Sequence, residues 1–155
     1  MKPIHLAYIT AQKLRVAWRR AFQIRTRGVK AVVLQGDAVL LIRHSYQSPQ
    51  TYMLPGGGVN ARETPLEAGV REVREETGCS LQNAREHGLF VSTHEGWPDH
   101  ITVVVGTTVD TPVADGRELI EARFFPLDAL PETLSAASRR RIVEIRDGMP
   151  PADGW

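Results

Sequence analysis

Apolar and polar positions change period several times along this chain. Val29 to Gln35 and Ala38 to His44 are two β-rich runs separated by Gly36-Asp37. A two-residue connection whose glycine takes a positive φ reads as a β-hairpin. Ser45 to Thr51 is a polar loop containing Pro49, and the short apolar run Tyr52-Met53-Leu54 stops at Pro55-Gly56-Gly57-Gly58. That segment reads as a strand followed by a glycine-rich turn. From Thr64 to Thr77 the period becomes helical, with Leu66, Val70, Val73 and Thr77 on one stripe, taken as the core face. Thr64 is placed as N-cap, Pro65 at the first helical position, Glu67 to close a capping box and Gly78 to end the helix. Strands are expected over Gly88 to Ser92, Ile101 to Val109 and Ala122 to Pro126, and a last helix over about Ser135 to Asp147. A further helix is expected from about Ile4 to Phe22, with Leu6, Ile9, Ala17, Trp18 and Ala21 among its apolar positions. Strands before, between and after helices predict an α+β chain or an α/β sandwich on a mixed sheet.

Composition narrows the class. A length of 155 residues suits one domain; residues 1–27 read as a basic helical extension and residues 28–150 as the domain proper. With 42% hydrophobic and 24% charged residues the chain is ordinary globular material. Its net charge of +1 singles out no nucleic-acid or membrane partner. Cys79 is the one cysteine, which excludes an intramolecular disulfide and a multi-cysteine metal site. No apolar run reaches the roughly 20 residues of a membrane span, so a cytoplasmic location is the expectation. Between Met1 and Arg62 the only acid is Asp37, yet the segment lacks the serines of a transit peptide, and His5, Thr10 and Gln12 interrupt any secretory apolar core. The basic helix is expected to pack on the domain or on a second copy, a homodimer.

The chemistry concentrates on the Thr64 to Thr77 helix. Glu72, Glu75 and Glu76 sit at i, i+3 and i+4, which stacks three carboxylates on one face. Like charges at that spacing cost an isolated helix roughly 0.2–0.5 kcal/mol per pair, and Arg71 can relieve part of it. An acidic stripe of this kind is either a solvated face or a site for a hard divalent cation, which takes carboxylate oxygens, water and substrate phosphate. The preceding glycines allow close approach of a ligand to the backbone and offer a free carbonyl. Glu63 stands where a carboxylate favours the positive end of the helix dipole.

Taken whole, Gly57-x5-Glu63-x7-Arg71-Glu72-Val73-x-Glu75-Glu76-x-Gly78 resembles the Nudix hydrolase signature, with Cys79 in place of the final bulky aliphatic residue. The resemblance covers about Gly28 to Asp147 and leaves the N-terminal helix outside. It implies an α/β/α sandwich around a mixed β-sheet, and hydrolysis of a nucleoside diphosphate linked to another group with Mg²⁺ or Mn²⁺. By that likeness Glu72, Glu75 and Glu76 hold metal with the Gly56 carbonyl, Arg71 orients the carboxylates and Glu63 supports the loop–helix junction. Gly57 and Gly78 complete the box. Glu118 is the expected further carboxylate or base, with Glu121 and Glu95 in reserve. Arg43, His44 and Trp97 are the candidates for substrate contact.

The loops at Ser45 to Thr51 and Ser92 to His100 leave the second group open among sugars, dinucleotides, capped RNA and oxidised nucleotides. The alternative of another class is a non-catalytic nucleotide-binding sensor on the same fold. An isoprenoid diphosphate isomerase would need an active-site cysteine outside the box, and the sole cysteine is Cys79. The loose dinucleotide fingerprint Gly56-x-Gly58-x-x-Ala61 lacks the preceding helix crossover.

Overall fold

The computed structural model describes residues 10–11, 27–46, 48–93 and 98–155. Within them the hairpin forms as expected. Strands β1 (Arg27–Gln35) and β2 (Ala38–His44) are antiparallel, and Gly36 turns the chain with φ 58°. Four more strands follow: β3 (Gly56–Gly58), β4 (Gln82–Ser92), β5 (Asp99–Thr107) and β6 (Leu119–Pro126). The order across the sheet is β4-β5-β1-β2-β6, with β3 paired to β1. The β1–β5 pairing is parallel and the others antiparallel, so the sheet is mixed.

Alternation along the central strands sorts side chains to two faces. Val29, Ala31 and Val33 of β1 join Leu40 and Val104 beneath helix α1 (Pro65–Thr77), packing with its Ala68 and Val73 and with Cys79 beyond its end. Val32, Val39, Leu41, Val103 and Val105 point the other way, toward Phe90, Leu54 and Ile142 of helix α2 (Ala136–Arg146). One helix on each face of a mixed sheet is the sandwich that the signature implied. The Thr64 capping box forms, and Gly78 closes α1 in the left-handed conformation. The basic helix expected over Ile4 to Phe22 lies outside the described residues except for Thr10 and Ala11.

Two local expectations are corrected. The glycines are not a turn after a strand; they are the strand. Tyr52 and Met53 make only isolated bridges, to Leu134 and Ile42, whereas Gly56–Gly58 pairs with Gly28–Lys30. β2 pairs with β1 near the turn, at Leu34 and Gln35, and β3 takes the same edge at the other end. The second correction concerns α1. Its buried residues are Ala68, Gly69, Val73 and Thr77, while Val70 is 37% exposed. Val73 and Thr77 of the expected stripe do face inward, and Leu66 packs against the same cluster. Only Val70 turns out, and Ala68 and Gly69 widen the inward face on the other side.

Gly56 makes the β3 pairing possible. Its φ is +149°, and a Cβ there would stand 2.0 Å from the Val29 carbonyl oxygen. Backbone cannot yield as a side-chain tip can. Gly56→Ala is therefore expected to cost about 2–3 kcal/mol in urea unfolding; unchanged stability would show that β3 seats differently.

Candidate active site

The core face of α1 brings two of its carboxylates against the sheet. The Glu76 side chain is 14% exposed and its Oε2 accepts the Gly56 backbone N–H at 2.9 Å. Glu72 is 15% exposed and lies over Gly57, where a Cβ would fall 2.6 Å from its carboxyl carbon. Glu75, one turn round, is 60% exposed. These three side chains, Gly56–Gly58, Tyr46, Asp115, Glu118 and Leu119 line a cavity of about 260 Å³.

Arg71 ties the acidic side chains to the loop. Its Nε donates to Glu63 at 2.7 Å, its Nη1 to Glu72 at 2.7 Å and to Glu75 at 3.1 Å, and its Nη2 to the Gly58 carbonyl at 2.9 Å and to Glu63 at 2.9 Å. Glu63 also accepts the Asn60 backbone N–H. The Arg71 hydrogen bonds are the main reason its carboxyl is held down at about 2. The planar guanidinium fork suits this role, because it serves several oxygens from one rigid group.

Electrostatics beneath the cavity are set by burial. Burial pushes Glu76 up to about 7, partly opposed by Lys30 and the Gly56 N–H. Lys30 Nζ donates to the Leu54 carbonyl at 3.2 Å; burial lowers its pKa, and Glu76 and Glu72 pull it back up. His44 is 3% exposed, and burial, then Lys30, push it down to about 4. Its Nε2 lies 3.8 Å from Glu76, and with the ring neutral at pH 7 that is a contact between a dipole and a carboxyl group rather than an ion pair.

Glu118 reaches the cavity on a braced loop. Asp115 Oδ1 accepts the backbone N–H groups of Arg117, Glu118 and Leu119 at 2.9, 3.1 and 3.1 Å. Burial raises the Asp115 pKa, but these donors outweigh it and hold the group below its ordinary value. Ser45 fastens the loop to the end of β2: its N–H donates to the Glu118 carbonyl at 2.8 Å and its hydroxyl to the Arg117 carbonyl at 2.8 Å.

The structure thus brings Gly56, Gly57, Glu72, Glu75, Glu76 and Glu118 together, with Arg71, Glu63 and His44 behind them. Arg43 and Glu121 stand apart from the cavity lining. Arg43 binds Glu121 at 2.6 and 2.9 Å, Tyr52 donates its hydroxyl to Glu121 at 2.9 Å, and Arg123 lies 3.2 Å away. Gly78 ends α1, while Trp97 and Glu95 lie outside the described residues. Cys79 is fully buried, and burial pushes its thiol up; it packs as a small apolar residue. Sequence reasoning missed Lys30, Tyr46 and Asp115. A lone lysine inside the apolar β1 run was the available signal for Lys30, since a buried charge demands a partner. Asp115-Gly116 is a turn dipeptide, and nothing local marked Tyr46.

The donor set fits a hard divalent cation. It is all oxygen and carboxylate-rich, and a Cβ at Gly57 would fill the space that the Glu72 carboxylate occupies. No group of three His, Cys, Asp or Glu side chains among the described residues already closes on one point; Arg71 holds Glu72 and Glu75 instead. Gly57→Ala should displace chiefly the Glu72 carboxylate, because the three atoms nearest the added Cβ belong to that flexible side-chain end. Melting should hold within a few degrees while divalent-cation affinity falls about 10-fold or more; unchanged affinity would place Glu72 outside the ion's reach.

Comparison with known proteins agrees with this geometry. The NUDIX domain family model matches residues 24–144. The chain is 32% identical over 118 residues to CMP-5'-(N-acetyl-N-hydroxy-3-aminopropyl)phosphonate hydrolase of Streptomyces rubellomurinus, covering 72% of this chain and 57% of that protein. It is 34% identical over 104 residues to the NAD-capped RNA hydrolase NudC of Pseudomonas aeruginosa, covering 64% of this chain and 36% of that one. The chain thus spans 57% and 36% of the lengths of these curated relatives. Among solved structures, the MutT NUDIX hydrolase of Burkholderia pseudomallei superposes with a TM-score of 0.69 at 24% identity, over 79% of this chain and 98% of that one. With the signature's Gly57, Glu72, Glu75 and Glu76 gathered at one cavity and the family model covering the sheet, α1 and most of α2, the chain belongs to the Nudix hydrolase family.

Proposed function

We propose that this chain hydrolyses the diphosphate bond of a nucleoside diphosphate linked to another group, using Mg²⁺ or Mn²⁺. The observation that carries the reading is the cavity itself, which Glu72, Glu75, Glu76 and Glu118 line together with the Gly56–Gly58 strand. Hydrolysing such a bond requires water to attack phosphorus while negative charge grows on the bridging oxygen. A divalent cation, when bound, would supply neutralisation of that charge and Lewis-acid activation of water. Glu72, Glu75, Glu76 and the Gly56 carbonyl are the groups that would hold it.

The remaining tasks fall to this chain's own side chains. Arg71 holds the Glu72 and Glu75 carboxylates at the cavity. Glu118, on its Asp115-braced loop, is the base we assign to take the proton of the attacking water. No serine, cysteine or histidine nucleophile is required, and Cys79 is buried in the core.

The test is turnover by the full chain on a panel of nucleoside diphosphate sugars, dinucleoside polyphosphates, NADH and nucleoside triphosphates, with Mg²⁺ or Mn²⁺ and again with EDTA. Release of a phosphorylated product only with metal is the expected result. Tight nucleotide binding with no turnover anywhere on the panel would identify a sensor domain instead.

A further inference from the structure

Arg117 and Glu118 stand on exposed chain, where water is at hand for backbone hydrogen bonds. The protein nevertheless supplies these bonds itself. Asp115 Oδ1 accepts the N–H groups of Arg117, Glu118 and Leu119. Ser45 serves the carbonyls between them, its hydroxyl donating to that of Arg117 and its backbone N–H to that of Glu118, both at 2.8 Å. Five consecutive backbone polar groups, from the Arg117 N–H to the Leu119 N–H, are thus held by two residues. Buried groups need such partners; on exposed groups the effect is to fix where the chain stands.

Ser45 ties this clamp to the sheet, being buried and following directly on β2. Gly116, at φ 69°, lets the chain fold back over the Asp115 carboxylate. With its backbone fixed, Glu118 has little further freedom to lose in holding its side chain at the cavity it lines. Asp115 lines the same cavity, yet one of its oxygens is committed to three donors. Turning that oxygen to a cation would release three N–H groups at once.

We infer that Asp115 is a positioning residue of this site, with Ser45 as the opposite jaw of its clamp. It holds the backbone of Arg117–Leu119 so that the Glu118 carboxylate stays at the cavity, and it serves those N–H groups rather than a cation. The inference rests on the diphosphate-hydrolase reading and on Glu118 as its base. Asp115→Ala removes the acceptor, whereas Asp115→Asn keeps Oδ1 and loses only the charge. The two variants therefore separate a positioning role from a role in holding cations.

Turnover of ADP-ribose by the full chain with Mn²⁺, or of the fastest probe on the panel above, tests it. Asp115→Ala should lower kcat by about 10–100-fold, since a displacement of about 1 Å can cost the upper figure. Asp115→Asn should recover most of that loss. Calorimetric Mn²⁺ affinity should stay within about threefold in both, short of the roughly 10-fold expected when a group holding the cation is disturbed. Amide hydrogen exchange at Arg117–Leu119 should quicken about 10-fold or more in Asp115→Ala and stay near wild type in Asp115→Asn. Added to Glu118→Gln, Asp115→Ala should lower kcat by no more than about twofold further, because the group it positions is already gone. A full additional loss in that background, a fully active Glu118→Gln, equal kcat in wild type and Asp115→Ala, or a fall in Mn²⁺ affinity shared by both Asp115 variants would each overturn the assignment. Those outcomes require an active wild type; turnover of no probe at all by wild type would instead defeat the hydrolase reading, and this inference with it.

Discussion

Glu76→Gln is expected to lower kcat by about 10²–10⁴-fold while leaving the fold intact. Glutamine can still accept the Gly56 N–H that Glu76 accepts at 2.9 Å, so the β3–α1 junction survives. What disappears is a negative oxygen at the place where the cations would be held, and losses of that order follow the removal of a group that acts directly on the reaction. The same substitution has a second signature in metal-free protein. Burial raises Glu76 from an ordinary 4.5 to about 7, so the folded state binds this proton more tightly than the unfolded chain. The associated stability is fully present below pH 4.5 and is lost as pH rises through 7. At one pKa unit per 1.36 kcal/mol this amounts to about 3 kcal/mol. In urea titrations with EDTA, wild type should show that decline across the window and Glu76→Gln should not. Equal slopes would mean that Glu76 ionises freely and is not the buried carboxyl described above.

Arg71→Ala is expected to damage stability and activity together. The guanidinium donates to three glutamates and the Gly58 carbonyl, at distances between 2.7 and 3.1 Å. Its removal leaves Glu72 and Glu63, 15% and 14% exposed, without their countercharge. Charge-assisted hydrogen bonds contribute more than neutral ones, and unpaired partners carry their own penalty. A loss of about 2–4 kcal/mol in urea unfolding is expected. Freed from Arg71, Glu72 and Glu75 would sample other rotamers, and activity should fall about 10–100-fold, as when a group that orients metal ligands is removed. Arg71→Lys should recover part of the stability but little of the activity, because one ammonium cannot serve four acceptors in fixed directions. Full activity in Arg71→Ala would separate the arginine from the carboxylates' placement.

What could be read before folding was local. The capping box at Thr64 and Glu67, the turn at Gly36 and the spacing of the glutamates depend on neighbours within a few residues, and each appears in the structure. The sandwich followed from the order of elements, but the parallel pairing of β1 with β5 joins residues about seventy positions apart and has no local signal. The apolar stripe locates α1's inward face through Leu66, Val73 and Thr77, but Val70 is exposed because close approach to the sheet through Ala68 and Gly69 sets the helix's rotation. That rotation brings two carboxylates of the acidic stripe, Glu72 and Glu76, against the sheet and leaves Glu75 exposed. Tyr46 and Asp115 reach the cavity only because β2 and the loop before β6 meet there, held by Ser45. Arg43 and Glu121, singled out separately, pair with each other instead.

The central claim is that the cavity carboxylates hold a divalent cation which in turn holds the substrate's diphosphate. Calorimetric titration of Mn²⁺ into the full chain, alone and with ADP present, addresses it most directly. A saturable isotherm for wild type, tightened by ADP and lost or weakened at least about 10-fold in Glu72→Gln and Glu76→Gln, is the predicted result. No heat of binding under either condition, or the same isotherm in wild type and both variants, would contradict it.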